Sequence, residues 1–82
     1  MKRTWEFKIY ESQADFDIYA PTTICESYYT NKKVCLHDCK QALRKLEFAY
    51  PIVKIQSNDR ESIEIFAVTY KFGNIIFSPH KG

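Results

Sequence analysis

Three cysteines and a histidine supply the atom types of a zinc or thiol site. They are Cys25, Cys35, His37 and Cys39. Thiolate sulfur and imidazole nitrogen are ligands of structural zinc, but the spacing rather than the number of ligands makes such a motif specific. The run Cys35-x-His37-x-Cys39 passes from a predicted strand into a predicted helix, so its side chains share one face only until the helix begins. We expect packed thiols and no bound metal, with a zinc site as the open alternative.

Cys39 is the residue best placed to act as a nucleophile. It falls at the first position of the predicted helix, where the helix dipole and Lys40 favour a thiolate. His37 is close enough in sequence to act as its base. Cys39 also begins the apolar side of that helix, and free cysteine is among the most buried residue types. Because no third group orients His37, we expect an inert, buried thiol.

Other catalytic arrangements are missing from the sequence. Asp15 and Asp17 are two carboxylates at alternate positions of a predicted strand, and no histidine or glutamate partner stands near them. The two glycines, Gly73 and Gly82, exclude a glycine-rich loop that would bind phosphate. His80 stands in the C-terminal tail, residues 80–82, and is expected to be solvated. We therefore expect no enzymatic activity, no catalytic residue and no cofactor.

Basic residues are concentrated in the middle of the chain. Residues 32–54 contain the bases Lys32, Lys33, Lys40, Arg44, Lys45 and Lys54 and the acids Asp38 and Glu47. Such side chains bind phosphates, and an exposed Phe48 would stack on a base. The net charge of +2 is small for a nucleic-acid-binding domain, and no RNA-binding motif is present. Nucleic-acid binding by the basic side of the helix is therefore the second hypothesis.

A protein interface explains the same residues with fewer assumptions and is the first hypothesis. Tyrosine and arginine are enriched at binding hot spots. The candidate partner-binding residues are Phe48, Arg44, Lys40 and Lys45 in the helix, and Tyr19, Tyr28, Tyr29, Asp15 and Asp17 in the acidic first third of the chain. The acidic residues suit a basic partner surface, such as a nucleic-acid-binding groove.

The segment Leu36–Pro51 predicts the helix that positions the basic residues. Asp38 is the expected N-cap, with Gln41 at the capping-box spacing, and Pro51 disfavours a helical conformation at residue 50. Apolar residues recur with the helical period on one side, at Cys39, Ala42, Leu43, Leu46, Ala49 and Tyr50. The same period places Phe48 almost opposite this stripe. We therefore predict a helix over about 38–50.

Alternating apolar and polar residues predict strands on both sides of this helix. Before it, the predicted strands cover residues 5–10, 16–20, 22–29 and 34–36, and the first two form a hairpin. After it, predicted strands at 53–56, 62–71 and 75–77 form a meander whose turns are at Ser57–Arg60 and Gly73-Asn74. The strand at 62–71 is apolar on both faces, so we place it inside the sheet. The predicted fold is α+β, with one helix packed on an antiparallel sheet.

Length and composition limit the class of protein. The 82 residues fit a single domain over 1–82, and six tyrosines, six phenylalanines and one tryptophan can supply its core. Three cysteines are an odd number, and no signal peptide or membrane-spanning run is present, so we expect a cytoplasmic monomer or homodimer without membrane contact. Small phage and mobile-element inhibitors of bacterial nucleic-acid-targeting systems, anti-CRISPR proteins among them, resemble this chain in size and composition, although no motif carries the resemblance.

Overall fold

The computed structural model describes residues 2–80, and Lys81 and Gly82 of the predicted tail lie outside the described residues. In chain order, the elements are β1 (Trp5–Tyr10), α1 (Gln13–Asp17), β2 (Thr23–Ile24), α2 (Lys32–Leu46), β3 (Ile52–Ser57), β4 (Ile63–Lys71) and β5 (Asn74–Pro79). The strands form one sheet in the order β2-β1-β3-β4-β5, and each neighbouring pair is antiparallel. The predicted α+β fold with its C-terminal meander is confirmed.

One face of the sheet packs against α2 and forms the core. The register places Phe7 opposite Ile55 and Ile9 opposite Val53, so these four buried side chains lie on the same face. The buried side chains of α2 are Cys35, Cys39 and Leu43. They are spaced four residues apart, so each turn of the helix directs one of them at the sheet. The predicted apolar stripe is therefore present in the middle of α2.

The helix α2 begins earlier than the sequence predicts. Its N-cap is Asn31 and not Asp38, because the Asn31 side-chain oxygen accepts hydrogen bonds from the backbone N–H of Lys33 at 2.8 Å and of Val34 at 3.4 Å. The predicted strand at 34–36 is wrong, since these residues form the first turns of α2. Asp38 lies inside the helix and is half-buried.

The same helix also ends earlier than predicted, at Leu46 and not at residue 50. Glu47 has a φ of 54°, in the left-handed region, and its N–H donates to the carbonyl oxygen of Leu43 at 3.1 Å. This C-cap turns the chain before Pro51 acts as a terminator. Ala49 and Tyr50 were assigned to the buried stripe, but they follow the end of the helix and are exposed.

The predicted second strand at 16–20 does not form. Its first two residues end α1, and the segment after them is not a strand. Ser12 caps this short helix, because its hydroxyl oxygen accepts a hydrogen bond from the N–H of Asp15 at 3.4 Å. Short polar side chains compete in this way with strand pairing, and here the local cap prevails over the alternating apolar pattern.

The helix α1 covers part of the sheet face opposite α2. Phe16 packs edge-on against Tyr10, with 5.1 Å between the ring centres, and Tyr10 alternates with the core residue Ile9 along β1. His80 is not solvated as predicted: its ring centre lies 5.2 Å from that of Phe16, and its Nε2 lies 2.6 Å from Gln13 Oε1. His80 is thereby attached to α1.

The strand predicted over 22–29 is reduced to two short pairings. Only Thr23 and Ile24 pair with β1, as β2, and Tyr29 forms an isolated antiparallel bridge with Trp5. The partners of β1 are thus β2 and β3, and the predicted hairpin between residues 5–10 and 16–20 is wrong.

The strands β4 and β5 form a hairpin that extends past the rest of the sheet. Strand β4 lies between β3 and β5, as its two apolar faces predict. Lys71 pairs with Asn74, so the two-residue turn is Phe72-Gly73 and not the predicted Gly73-Asn74. The pairing of β3 with β4 ends at Ala67, and from Thr69 onward β4 pairs only with β5. The hairpin therefore ends in a two-stranded ribbon.

Candidate protein interface

The basic residues of α2 fall on two sides of the helix. Lys40 Nζ lies 5.4 Å from the centre of the Phe77 ring, and Arg44 Nη1 lies 3.5 Å from the carbonyl oxygen of Gly73. Lys45 faces the other side, where it lines a groove beside β2. The structure therefore brings Lys40 and Arg44 to the β4–β5 side of the helix and separates them from Lys45.

Phe48 is half-buried and packs against the core, so the prediction of an exposed Phe48 is wrong. The helical period ends at Leu46, and the left-handed backbone at Glu47 redirects the chain. The helical period consequently does not predict the direction in which the Phe48 side chain points. Its ring lines a groove between α2 and the β4–β5 hairpin.

The three candidate tyrosines have different environments. Tyr19 and Tyr28 are 81% and 67% exposed. Tyr29 is half-buried and stacks on Phe7, with 6.2 Å between the ring centres. Burial, and after it the neighbouring Asp38 carboxylate, raises the pKa of Tyr29 to about 12. Tyr29 is therefore part of the packing between β1 and the loop before α2.

The two candidate aspartates belong to α1 and not to a strand. Asp15 Oδ2 accepts a hydrogen bond from the Ser12 hydroxyl at 3.2 Å, and Asp17 Oδ1 accepts one from Gln13 Nε2 at 2.7 Å. Because α1 covers the sheet face opposite α2, these carboxylates lie away from the basic side chains of α2. The predicted partner-binding residues do not form a single surface.

The cysteines are packing residues in this structure. Cys35 and Cys39 are buried in the core, and burial raises the pKa of Cys35 to about 12 and raises the pKa of Cys39 as well. His37 is exposed, because on a helix it stands about 200° around the axis from each of its two neighbouring cysteines. Among residues 2–80, no three Cys, His, Asp or Glu side chains are grouped as metal ligands. Cys35, His37 and Cys39 are close in sequence, but the histidine side chain points away from the two thiols.

Sequence reasoning missed the feature that stands out most clearly, which is Phe72 at the tip of the β4–β5 hairpin. Its side chain is 93% exposed, the highest value of any large apolar residue in the described part of the chain. Phe72 has a φ of 51° and Gly73 a φ of 79°. Positive φ at both central residues is typical of the type I′ turn, where Asn, Asp and Gly are preferred. Phenylalanine is unfavourable there in both backbone conformation and exposure.

The structure offers little local compensation for this arrangement. A left-handed conformation costs a residue with a Cβ atom roughly 1–2 kcal/mol relative to the right-handed one. A favourable contact joins the ring to Lys71, whose Nζ lies 5.9 Å from the centre of the Phe72 ring. That distance is at the outer limit of a cation–π interaction, worth about 0.5 kcal/mol on an exposed surface. An exposed phenylalanine in a left-handed conformation is a basis for a functional hypothesis.

Phe72 stands beside a groove between the C-terminal end of α2 and the β4–β5 ribbon. The groove has a volume of about 430 Å³. Its lining residues are Leu43, Arg44, Glu47, Phe48, Ala49, Tyr70, Gly73 and Ile75. We name this groove together with Phe72 the hairpin-tip surface. It combines aromatic and aliphatic side chains with the charged Arg44 and Glu47, and aromatic residues and arginine are enriched at protein interfaces.

Positive charge flanks the hairpin-tip surface. The ion pairs within residues 2–80 lie elsewhere, and they join Arg3 to Asp59 and Glu61, and Lys32 to Glu64. Among the described residues, Arg44 and Lys71 take part in no ion pair. Both cations are consequently free to bind acidic groups of a partner.

One signal in the sequence was sufficient to find this site. The letters K-F-G-N stand between two apolar runs, and a two-residue turn with glycine second places the phenylalanine first. A side chain at the tip of a two-residue hairpin has no neighbouring strand to cover it. The turn was assigned to Gly73-Asn74, which left Phe72 between the predicted strand at 62–71 and the turn, and its exposure was not recognised.

No protein-family model matches this chain, and neither a curated protein nor a solved structure matches it. No helix within residues 2–80 is long and apolar enough to cross a membrane. The function is therefore inferred from the hairpin-tip surface itself.

Proposed function

We propose that this chain is a non-enzymatic protein-binding module that inserts Phe72 into an apolar pocket of a larger partner protein. The observation that carries the proposal is the combination of 93% exposure and a φ of 51° at a phenylalanine. Folding gains little from this residue, so partner binding is the role that we assign to it.

The partner is expected to have an apolar pocket with an acidic rim. Full burial of a phenylalanine side chain contributes about 1.5–3 kcal/mol. Lys71 lies beside the Phe72 ring and Arg44 lines the adjoining groove. Their positive charges are unpaired within residues 2–80, so carboxylates around the pocket would complete the contact. Tyr70, on the same ribbon, adds a second aromatic contact of the kind enriched at interfaces.

A narrower form of the proposal makes the partner a bacterial nucleic-acid-targeting protein and this chain its phage or mobile-element inhibitor. Size and composition are its only support. We further propose a reducing compartment, such as the cytoplasm, because the three cysteines are an odd number and all are free thiols.

The alternative of nucleic-acid binding through Lys40, Arg44 and Lys45 has less support. Lys45 lies on a different side of α2 from the other two, and Phe48 packs against the core. This alternative predicts that affinity for DNA or RNA falls steeply with salt and weakens when these three residues are changed to Glu. A titration without binding at low ionic strength would exclude it.

Site-specific crosslinking tests the protein-binding proposal. A photoreactive phenylalanine analogue is placed at position 72 and, as a matched control, at position 28, since Tyr28 is also exposed. Each protein is illuminated in a lysate of the source cells or of their host. We expect one protein to be crosslinked in stoichiometric amount from position 72 and not from position 28.

Substitutions then show whether the captured protein binds through the proposed residues. Phe72→Ala and Arg44→Ala should abolish its co-purification, and Tyr28→Ala should leave it unchanged. Capture that persists undiminished in both the Phe72→Ala and the Arg44→Ala proteins would refute the proposed surface.

A further inference from the structure

The strand β5 forms an edge of the sheet that lacks the usual protection against further pairing. Exposed edges are commonly shortened, or carry charged residues or proline. At the opposite edge, β2 has only two residues, Thr23–Ile24. In contrast, β5 has six, Asn74–Pro79, and none of them is charged. Its one proline, Pro79, is the last residue of the strand.

The hairpin register identifies which backbone groups of β5 are free. A two-residue turn makes Lys71–Asn74 a hydrogen-bonded pair, and such pairs alternate with non-hydrogen-bonded ones in an antiparallel ladder. Ile76 and Ser78 are therefore bonded to β4, and the N–H and C=O groups of Ile75 and Phe77 point away from it.

Two hydrogen bonds confirm this alternation. The N–H of His80 donates to the Ile65 carbonyl oxygen at 2.9 Å, so His80 continues the set that is bonded to β4. Val68, the partner of Phe77 across the hairpin, donates its N–H to Pro51 at 3.0 Å, on the side away from β5. Ile75 and Phe77 thus present two donors and two acceptors at the sheet edge.

These free groups are self-complementary. With a two-fold axis at Ile76, Ile75 of one copy lies opposite Phe77 of the other, and each such pair exchanges two backbone hydrogen bonds. Ile76, 37% exposed on the sheet face opposite α2, then lies directly against Ile76 of the second copy. Asn74 lies opposite Ser78, and no charged side chain of β5 enters the contact.

We propose that β5 pairs antiparallel with β5 of a second copy of this chain, joining two five-stranded sheets into one of ten strands. The two helices α2 then lie on the same face of the joined sheet. Pro79, which has no N–H, limits the length of the ladder. The backbone groups of Ile75 and Phe77 supply the bonds, and the contact between the two Ile76 side chains fixes the register. This pairing does not use the Phe72 side chain, so it is independent of the proposed partner binding.

Sedimentation velocity of the wild-type chain over a range of concentrations tests this pairing. We expect a reversible dimer. Ile76→Lys places two ammonium groups opposite each other at the axis, so this variant should sediment as a monomer at every concentration. The matched control is Ile63→Lys, which makes the same change at an exposed isoleucine on the same face, opposite the neutral Gln56, and should leave the dimer intact. Phe72→Ala should also remain dimeric.

Amide hydrogen exchange of the wild-type chain gives a second readout that requires no substitution. In the dimer, the amides of Ile75 and Phe77 should exchange at least about tenfold more slowly than in the diluted monomer. The amides of Ile76 and Ser78 are bonded to β4 and should be protected in both states. A monomer at every concentration, a dimer that survives Ile76→Lys, or a dimer with unprotected Ile75 and Phe77 amides would each overturn the proposal. Protection of these two amides only in the presence of a different captured protein would also overturn it and assign the edge to that protein.

Discussion

Replacing Phe72 by asparagine should stabilise the fold. Asparagine adopts the left-handed conformation more readily than phenylalanine, and Asn-Gly is the preferred sequence of a type I′ turn. Relief of strain at a φ of 51° contributes about 1 kcal/mol of the 1–2 kcal/mol that this conformation costs. Loss of the contact with Lys71 at 5.9 Å removes about 0.5 kcal/mol. Since the side chain is 93% exposed, little buried surface is lost.

The expected net gain for Phe72→Asn is therefore about 0.5 kcal/mol in the free energy of unfolding. For a domain of this size, that gain raises the melting temperature by about 2–4 °C. Urea unfolding at low protein concentration, with an unchanged slope of free energy against urea, measures it directly. Phe72→Ala is the control, because alanine removes the ring without relieving the left-handed strain, and it should not stabilise. A loss of more than about 1 kcal/mol in Phe72→Asn would refute the reasoning, because Phe72 would then support the fold.

The remaining predictions concern the caps of α2 and two ionisable groups whose pKa rises on folding. Asn31→Ala should lower the free energy of unfolding by about 1 kcal/mol, because it removes the N-cap of α2; an unchanged free energy in urea unfolding would contradict the observed helix start. Glu47→Gly should raise the free energy of unfolding by about 0.5–1 kcal/mol, because glycine adopts its φ of 54° without strain, and a loss in thermal unfolding would contradict this cap. Folding raises the pKa of Cys35 and of Tyr29 to about 12, whereas the unfolded chain releases these protons near 9.0 and 10.0. The stability that these two groups contribute to the free energy of unfolding is therefore complete below pH 9 and is lost as pH rises from 9 towards 12. Urea unfolding at a series of pH values would show this loss; a free energy of unfolding that increases over this range would contradict it.

The sheet was largely predictable because its patterns are local. Trp5–Tyr10 alternates apolar and polar residues, and Ile63–Lys71 is apolar on both faces, as an interior strand requires. The start of α2 was missed because Val34, Cys35 and Leu36 form a short apolar run, which fits a strand as well as a helix. The Asn31 cap favours the helix over the strand at these residues.

Left-handed backbone at residues other than glycine limited the rest of the prediction. No glycine marks the end of α2, so the left-handed Glu47 was not foreseen and Phe48 was assigned to the wrong side. At the hairpin, Gly73 was recognised but the turn was placed one residue late, which concealed Phe72. At α1, the Ser12 cap prevailed over an alternating pattern. At Glu47 and at the Phe72-Gly73 turn, a single dihedral angle determines where the following side chain points, and the candidate site was missed for this reason.

The affinity of the protein captured from position 72 for the wild-type and Phe72→Asn chains tests the central claim most directly. Isothermal titration would compare the two chains, with Tyr28→Ala as a control that should bind like the wild type. If Phe72 inserts into a pocket of the partner, the more stable Phe72→Asn chain should bind roughly 10- to 150-fold more weakly, which corresponds to the loss of one buried phenylalanine side chain. Equal affinity of the wild-type and Phe72→Asn chains would contradict the account.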